Sequence, residues 1–391
     1  MTLRNSRIAA GILGAVIGAP LLACAQGSVT IYGVVDTALV YTSNQGGLHN
    51  TYLRSGNLSA SKIGFKGVED LGGGMQALFQ LENGFDTNTG AMSSANTLFN
   101  RQSFVGLSSA STGTLTVGRQ YTPYYLYVGA IGPTTVLTGA TGAHPGDVDG
   151  LDTTVRSSNA VTYSSPVFAG AQVSALYGFG ETAGATSTGN AYSLAAKYNV
   201  NAWNFALGFQ HLNIGTGNAS WNSSTATANI PSSAINAGYQ SANSAQMIAA
   251  AARYTIDKLM LGATYSVAQY RPGSGSVFTQ AVKFQTAGVF STYQWSPQVA
   301  LAAGYSYTFA DKGNGISTAA NYHQLSLQET YAFSPRTALY FLQAYQLAGG
   351  NTLASNGSII NAVAAVGDSQ NSSASNGKSQ AVLMFGIRHN F

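Results

Sequence analysis

The sequence predicts an all-β fold, namely a 16-stranded antiparallel transmembrane β-barrel with the third loop folded into the lumen. Composition is the first observation behind this prediction. Charged residues make up 8% of the chain and hydrophobic residues 45%, whereas soluble domains carry about 25% charged residues. No run of about 18 apolar residues follows residue 25, which excludes a bundle of transmembrane helices. A barrel, apolar outside and polar inside, satisfies both observations.

The start of the chain has the pattern of an export signal. Its parts are the basic residues Arg4 and Arg7, an apolar stretch over 8–19, and the small-x-small site Ala23-Cys24-Ala25. We therefore expect a cleaved signal peptide over 1–25 and a barrel domain over 26–391. Cleavage would remove the single cysteine and lower the formal net charge from +4 to +2, because two of the 17 basic residues leave and all 13 acidic residues stay. Lipid attachment at Cys24 is the alternative, but Leu22 fits a lipoprotein signal poorly.

Sixteen segments alternate apolar and polar residues over roughly the 9 to 11 residues that a tilted membrane strand needs. The predicted strands are 29–41, 51–66, 75–86, 98–108, 113–120, 156–164, 170–180, 190–199, 202–213, 245–256, 259–270, 281–293, 299–310, 321–332, 336–348 and 380–391. The last segment places Leu383, Phe385 and Ile387 on one face and ends on the aromatic residue Phe391. Such a strand is typical of the closing strand of an outer-membrane barrel.

The connections between these strands alternate between short and long. In outer-membrane barrels the short turns lie at the periplasm and the long loops outside, so both termini are expected on the periplasmic side. The long connections at 214–244 and 349–379 are polar, and we expect them to have no fold beyond a solvated surface. Sixteen strands leave an aqueous bore. Because the third long connection, 121–155, is more apolar than the outer loops, we expect it to fold inward and narrow that bore.

A set of short motifs runs in order through the chain after residue 25. The motifs lie at 28–36, 64–67, 69–74, 79–82, 99–102, 105–107, 118–123, 159–163, 165–166, 334–337 and 386–391. The ordered set resembles the trimeric general diffusion porins of Gram-negative outer membranes, in particular their β-proteobacterial branch. The resemblance implies a homotrimer in the outer-membrane lipid bilayer and passive diffusion of ions and small hydrophilic solutes. It also implies that the terminal Phe391 is the assembly signal for the barrel-assembly machinery.

The resemblance further implies an eyelet in which basic residues of the barrel wall face acidic residues of the third loop. Carried over residue by residue, the basic wall consists of Lys62, Arg101, Arg119 and Arg156. Lys62 stands where relatives commonly have arginine. Lysine keeps the charge but is flexible and strongly hydrated, so the eyelet is expected to differ in shape there.

Alternation gives the direction of two of these side chains independently of the resemblance. Ile63 and Phe65 take one face of the second strand, so Lys62 points into the lumen. Phe104 is expected to face away from Arg101, which would make Arg101 luminal.

Arg119 needs a different explanation, because it shares a face with Leu115 and Val117 and would otherwise point at lipid. An arginine facing hydrocarbon near mid-depth costs about 2 to 4 kcal/mol. We therefore expect the strand to break or bulge at Gly118. For every basic wall residue the alternative is a solvated charge, or a pair with a neighbour that holds the wall.

The candidate acidic side of the eyelet is Asp147, Asp149 and Asp152. Their spacing lacks the terminal glutamate and the alternating ligands of a calcium loop, so no metal is expected; they face the basic wall or anchor the loop by accepting hydrogen bonds. Tyr32 and Asp36 share the luminal face of the first strand. Glu82 is also expected to face the lumen, with a pairing to lysine or arginine on an adjacent strand as the alternative.

No enzyme motif or cofactor site is found in the sequence, and a net charge of +2 does not predict nucleic-acid binding. Four basic wall residues against three loop carboxylates predict mild anion selectivity. Two alternatives to a channel remain: a barrel that acts mainly as a surface adhesin or receptor through its long loops, and a barrel hydrolase.

Overall fold

The structure, a computed structural model, describes residues 27–137, 139–152, 155–181, 183–185, 187–213, 230–368 and 373–391. The predicted signal peptide at 1–25 lies outside the described residues. The strands are β1 (Ser28–Gln45), β2 (Leu48–Ser55), β3 (Lys62–Gly72), β4 (Met75–Gly84), β5 (Gln102–Ser109), β6 (Gly113–Tyr121), β7 (Arg156–Ser164), β8 (Ala171–Gly178), β9 (Ala191–Val200), β10 (Trp203–Asn213), β11 (Ser244–Ile256), β12 (Leu259–Arg271), β13 (Val282–Gln294), β14 (Val299–Ala310), β15 (Asn321–Ala332), β16 (Thr337–Gly349), β17 (Asn351–Leu353), β18 (Ile359–Asn361) and β19 (Ser379–Asn390).

All strands except β17 and β18 form one antiparallel sheet that closes through the pairing of β1 with β19. Strand β1 pairs with β2 from Thr37 onward and with β3 over its first seven residues. Strands β2 and β3 are therefore two halves of one barrel strand, separated by residues 56–61. Counted this way the barrel has sixteen strands, which confirms the predicted antiparallel 16-stranded barrel. The predicted continuous strand over 51–66 is wrong.

The two faces of the sheet differ as period-2 alternation requires. On β19, Leu383, Phe385 and Ile387 are 39%, 58% and 43% exposed, while Val382 and Met384 between them are buried. Exposed aromatic residues form a band near each end of the outer face: Tyr177, Phe179, Tyr192 and Tyr345 toward the long loops, and Trp203, Tyr293, Trp295, Tyr331 and Phe333 toward the short turns. Such a surface, an apolar band between two aromatic girdles, is typical of membrane barrels.

The seam between β1 and β19 closes the barrel with a regular register in which Thr37 is opposite Ile387. Beyond the last paired strand residue, Gly33 N donates to Phe391 O at 3.0 Å and Phe391 N donates to Gly33 O at 3.1 Å. A Cβ at Gly33 would lie 2.3 Å from the Phe391 ring. A glycine at position 33 therefore lets the terminal aromatic ring cover the first strand.

The helices of the described residues are short. They are α1 (Pro123–Tyr127), α2 (Pro133–Val136) and the 3-10 turns Gly129–Ile131, Gly139–Gly142, Pro145–Asp147 and Ala237–Ser241. None of the helices in the described ranges is long and apolar enough to cross a bilayer.

The last long loop has more structure than the sequence predicts. Strands β17 and β18 pair as a hairpin, and residues 364–368 that follow it are buried. The predicted structureless surface over 349–379 is therefore wrong for its described part. In the loop predicted at 214–244, residues 214–229 lie outside the described ranges, whereas Ile230, Ile235 and Tyr239 are buried in an apolar cluster with Leu353.

Candidate functional site

The inner face of β3 and β4 carries a compact charged cluster around Glu82. The Glu82 carboxylate accepts from Arg101 Nε at 2.8 Å and from Tyr32 Oη at 2.9 Å, and lies 3.5 Å from Lys62 Nζ. The side chains of Glu82 and Arg101 are 2% and 5% exposed, and that of Lys62 is 27% exposed. Glu82 thus pairs with the basic wall, which was the alternative left open by the sequence.

Arg101 reaches this cluster for a reason that differs from the predicted one. Val105 and Leu107 are the exposed residues of β5, at 59% and 45%, and Phe104 lies on the opposite, inner face. The expected opposition of Phe104 and Arg101 is therefore wrong. Arg101 precedes the first residue of β5, Gln102, and turns inward from a bend where strand parity does not apply.

Two further arginines lie beside Arg101. Arg156, at the start of β7, is 4% exposed, and its guanidinium carbon lies 5.0 Å from the Tyr121 ring centroid. Tyr121 Oη accepts from Arg101 Nη2 at 2.6 Å and from Arg156 Nη2 at 3.3 Å. Tyr121 therefore fixes two of the predicted wall arginines in one place.

Arg119 lies at the expected break. The register of β6 with β7 shifts between Gly118 and Gln120, and Gly118 has φ +131°, where a Cβ would lie 2.2 Å from a carbonyl oxygen of β5. The Arg119 side chain donates to Asn100 O at 2.7 Å and to Ser158 Oγ at 2.8 Å. The bulge directs the Arg119 guanidinium to polar partners. It thereby avoids the free-energy cost of an arginine that faces the lipid hydrocarbon.

The described part of the third loop, residues 122–137, 139–152 and 155, contacts the inner face of strands far apart in the barrel. Its partners include Ser193 on β9, Tyr270 on β12 and Gln324 on β15, which bond to loop backbone atoms at 2.7 to 3.0 Å. Apolar loop residues such as Val128 and Val148 pack with inner-face residues of β9 to β12. The loop is therefore held by hydrogen bonds between strand side chains and its backbone, and by an apolar cluster.

The three loop carboxylates have different partners. Asp149, 1% exposed, bonds to the His144 ring and accepts from Ser266 on β12. Burial opposes ionisation, but the His144 ring and these hydrogen bonds outweigh it and hold the pKa of the Asp149 carboxyl below its usual range. Asp147 Oδ1 accepts from Asp152 N at 3.0 Å, which closes a turn within the loop.

Of these carboxylates, Asp149 accepts a hydrogen bond from the barrel wall, as the second role left open by the sequence requires, whereas the hydrogen bond to Asp147 lies within the loop. Within the described ranges, no group of three His, Cys, Asp or Glu side chains could hold a metal ion.

Three glutamines on adjacent strands connect the third loop with the last loop. Gln324, Gln346 and Gln380 are opposite one another on β15, β16 and β19, and none is more than 2% exposed. Gln324 Nε2 donates to two carbonyls of the third loop, Gln346 Nε2 donates to Gln324 Oε1 at 2.8 Å, and Gln346 Oε1 accepts from Ala365 N at 2.8 Å. Gln380 Oε1 accepts from Val366 N at 2.7 Å.

By binding the backbone of Ala365 and Val366, Gln346 and Gln380 position the following residue Asp368, which the sequence did not indicate as a site residue. A cavity of about 220 Å³ is lined by Lys62 and Arg101, by Asp152 of the third loop, and by Asp368 of the last loop, which is 2% exposed. Opposite charges from the wall and from two loops thus share one cavity. A polar loop of low complexity gave no local signal for Asp368, because its position depends on glutamines of the strands that precede and follow that loop.

Comparison with known proteins identifies the family. A family model described as Gram-negative porin matches residues 9–314. The chain is 32% identical to an outer membrane porin protein of Bordetella pertussis over 54% of this chain and 57% of that protein. It is 34% identical to outer membrane porin protein 32 of Delftia acidovorans over 43% and 48%, so these alignments span about half of each relative. Major outer membrane protein P.IB of Neisseria gonorrhoeae aligns at 29% identity over 85% of this chain and 92% of that protein.

Solved structures show the same fold. An anion-selective porin from Comamonas acidovorans superposes with a TM-score of 0.70 at 22% identity, covering 94% of this chain and all of that chain. The trimer form of an outer membrane protein of Vibrio cholerae superposes with a TM-score of 0.62 at 16% identity, covering 93% and 99%. With a family model that matches most of its length and a closed barrel of sixteen strands, this chain belongs to the Gram-negative porin family of the outer membrane.

Proposed function

We propose that this protein forms a water-filled channel through which ions and small hydrophilic solutes diffuse passively across the outer membrane. The main observation behind this proposal is a cavity of about 220 Å³ that is lined by Lys62 and Arg101 of the wall and by Asp152 of the third loop. We propose that the third loop folds into the lumen and that this cavity is the constriction of the pore. The contacts of the loop with the inner faces of β9, β12 and β15 support this arrangement.

We propose mild anion selectivity for this channel. Several basic side chains of the inner face remain in contact with solvent, although Arg101 and Arg156 are buried, whereas the carboxylates Asp36, Glu82, Asp147, Asp149, Asp152 and Asp368 are at most 3% exposed. Such solvent-contacting residues include Arg54, Lys62, Lys66 and Arg388. A narrow water column beside low-dielectric walls screens such charges less than bulk water does, so they favour anions.

Planar-bilayer recordings test both parts of this proposal. An open, ohmic conductance supports the channel, whereas a protein that inserts without conductance would favour a role as a surface receptor. Reversal potentials in a salt gradient measure the preference, which should weaken as the Debye length falls from about 10 Å at 0.1 M to about 3 Å at 1 M salt. A clearly cation-selective wild type would contradict the assigned constriction.

We further propose a homotrimer, removal of residues 1–25 on export, and assembly through a machinery that recognises Phe391. The resemblance to trimeric porins supports the oligomer, as does the trimer form of the Vibrio cholerae neighbour. Electrophoresis in mild detergent before heating tests it. A single monomer band from freshly extracted outer membranes would refute the trimer.

A further inference from the structure

The interruption between β2 and β3 forms an inner shelf, which we define as residues 56–61. At both of its ends the shelf bonds to one residue of the neighbouring strand β1. Gly56 N donates to Asp36 O at 2.9 Å. Ser61 Oγ donates to Asp36 O at 3.0 Å and accepts from Asp36 N at 3.1 Å. The strand therefore leaves the sheet and returns to it at Asp36.

The carboxylate of Asp36 binds the middle of the shelf. Its two oxygens accept from three consecutive backbone groups, Asn57 N at 3.0 Å, Leu58 N at 3.1 Å and Ser59 N at 2.9 Å. A fourth hydrogen bond comes from Tyr340 Oη on β16 at 2.6 Å. The Asp36 side chain is fully buried. An ionised carboxylate offers enough acceptor sites for four donors, whereas an amide offers one acceptor oxygen and adds two donors of its own.

The opposite side of the shelf meets the third loop. Asn57 O accepts from Ala140 N at 3.2 Å, and a Cβ at Gly139, which has φ +54°, would lie 2.4 Å from Asn57 O. The two backbones are therefore in direct contact. Leu58 and Ser59 line the same cavity of about 220 Å³ as the basic wall and the third loop.

We propose that Asp36 is a positioning residue that fixes the inner shelf as a second wall of the constriction, beside the third loop. This inference rests on the proposed channel function. In this arrangement the width of the pore depends on two inward segments, and the four hydrogen bonds to Asp36 keep one of them in place. Asp36 itself makes no contact with a passing solute, because its side chain is buried.

Accessibility of the shelf is tested first, with Ser59→Cys. The single cysteine of the chain, Cys24, lies in the predicted signal peptide, so the introduced thiol would be the only one in the exported protein. We expect a negatively charged methanethiosulfonate reagent to lower the single-channel conductance in discrete steps. Ser355→Cys, on the exposed part of the last loop, is the control and should react without a change in conductance. Reaction of the Ser59→Cys thiol without a conductance change would overturn the inference.

The role of Asp36 is tested next, with Asp36→Asn and Asp36→Ala. We expect both variants to raise the single-channel conductance, and we expect the thiol-induced block of Ser59→Cys to shrink in the Asp36→Ala background. Tyr340→Phe removes one of the four hydrogen bonds and should have a smaller effect of the same sign. Thr286→Val, which breaks a buried 2.8 Å hydroxyl pair between Thr286 on β13 and Thr308 on β14, controls for loss of a buried polar group and should leave the conductance unchanged.

These outcomes separate the inference from the proposed function. A wild type without conductance would refute the channel itself. A conducting wild type whose Asp36 variants fold, migrate like wild type before and after heating, and keep its conductance and thiol block would refute only the role of Asp36. If Asp36→Ala does not fold, the Tyr340→Phe variant carries the same test, and wild-type conductance and thiol block in that background would overturn the inference.

Discussion

Replacing Glu82 by glutamine should make the channel more anion-selective. Glu82 is the shared counter-charge of Lys62, at 3.5 Å, and Arg101, at 2.8 Å. Glutamine has nearly the same shape, so Glu82→Gln removes one negative charge and leaves both basic groups in place. Because Glu82 and Arg101 are almost fully buried, we also expect a loss of stability, with the roughly 3 to 5 kcal/mol typical of a broken buried ion pair as the upper range.

The size of the selectivity change follows from Coulomb's law. An ion that passes about 5 to 10 Å from the lost charge in water-like dielectric changes its energy by about 0.4 to 0.8 kcal/mol. This difference corresponds to roughly a two- to four-fold change in occupancy. The effect has opposite signs for anions and cations, so the permeability ratio should move by about four- to sixteen-fold before screening. Salt at 0.1 M, with a Debye length of about 10 Å, reduces this range.

Reversal potentials in a salt gradient measure the shift, and Asp257→Asn is the matched control. Asp257 is exposed on the turn between β11 and β12, so its replacement changes the net charge of the protein equally but far from the cavity. We expect a shift for Glu82→Gln and none for Asp257→Asn. Equal shifts in the two variants would show that total charge sets the preference. No shift in Glu82→Gln would show that Glu82 is not at the constriction.

Other substitutions should have distinct effects. Replacing Arg101 and Arg156 together with uncharged residues should move the reversal potential toward cations, and an unchanged value would mean that the eyelet lies elsewhere. Gly118→Ala places a side chain at φ +131° and should lower the unfolding temperature by the equivalent of more than about 1 kcal/mol; a wild-type temperature would refute the bulge. Deleting Phe391 should reduce barrel assembly while export continues, so equal amounts of inserted truncated protein would contradict this role. The Asp149 carboxylate, whose folded pKa is depressed, contributes stability above the ordinary aspartate pKa of about 3.9 that is lost as the pH falls through the folded value. If Asp149 holds the third loop, acidification should loosen the loop and raise the fluctuations of the open-channel current. Asp149→Asn should remove this acid dependence of the current noise, and an unchanged acid dependence would contradict the anchoring role.

Local alternation was sufficient to predict the barrel. Each strand of a membrane barrel presents one face to lipid, so apolar and polar residues alternate with a period of two in every strand segment. The number of strands then follows from counting these segments. The exposure of Leu383, Phe385 and Ile387, and the bulge at Gly118, were predictable in this way because each depends on residues only a few positions away.

Features set by distant residues were not predictable from the sequence. The break in the second barrel strand begins at Gly56, but the carboxylate that holds it belongs to Asp36, twenty-one positions before Asn57. Asp368 reaches the cavity because glutamines of β16 and β19 bind the backbone of the last loop. For Arg101, parity failed because the residue lies in a bend, where side chains no longer alternate.

The seam between β1 and β19 has a consequence for the order of folding. All other pairings of the barrel join strands that are neighbours along the chain, or flank the shelf, whereas Thr37 and Ile387 are about 350 residues apart. Bringing such distant ends together costs about 5 kcal/mol of chain entropy by the logarithmic loop-closure law. Until that contact forms, the sheet has two unpaired edges, each able to pair with another chain. Barrel closure is therefore expected to be the late and slow event of folding, and hydrogen exchange of the backbone amides should be fastest along this seam.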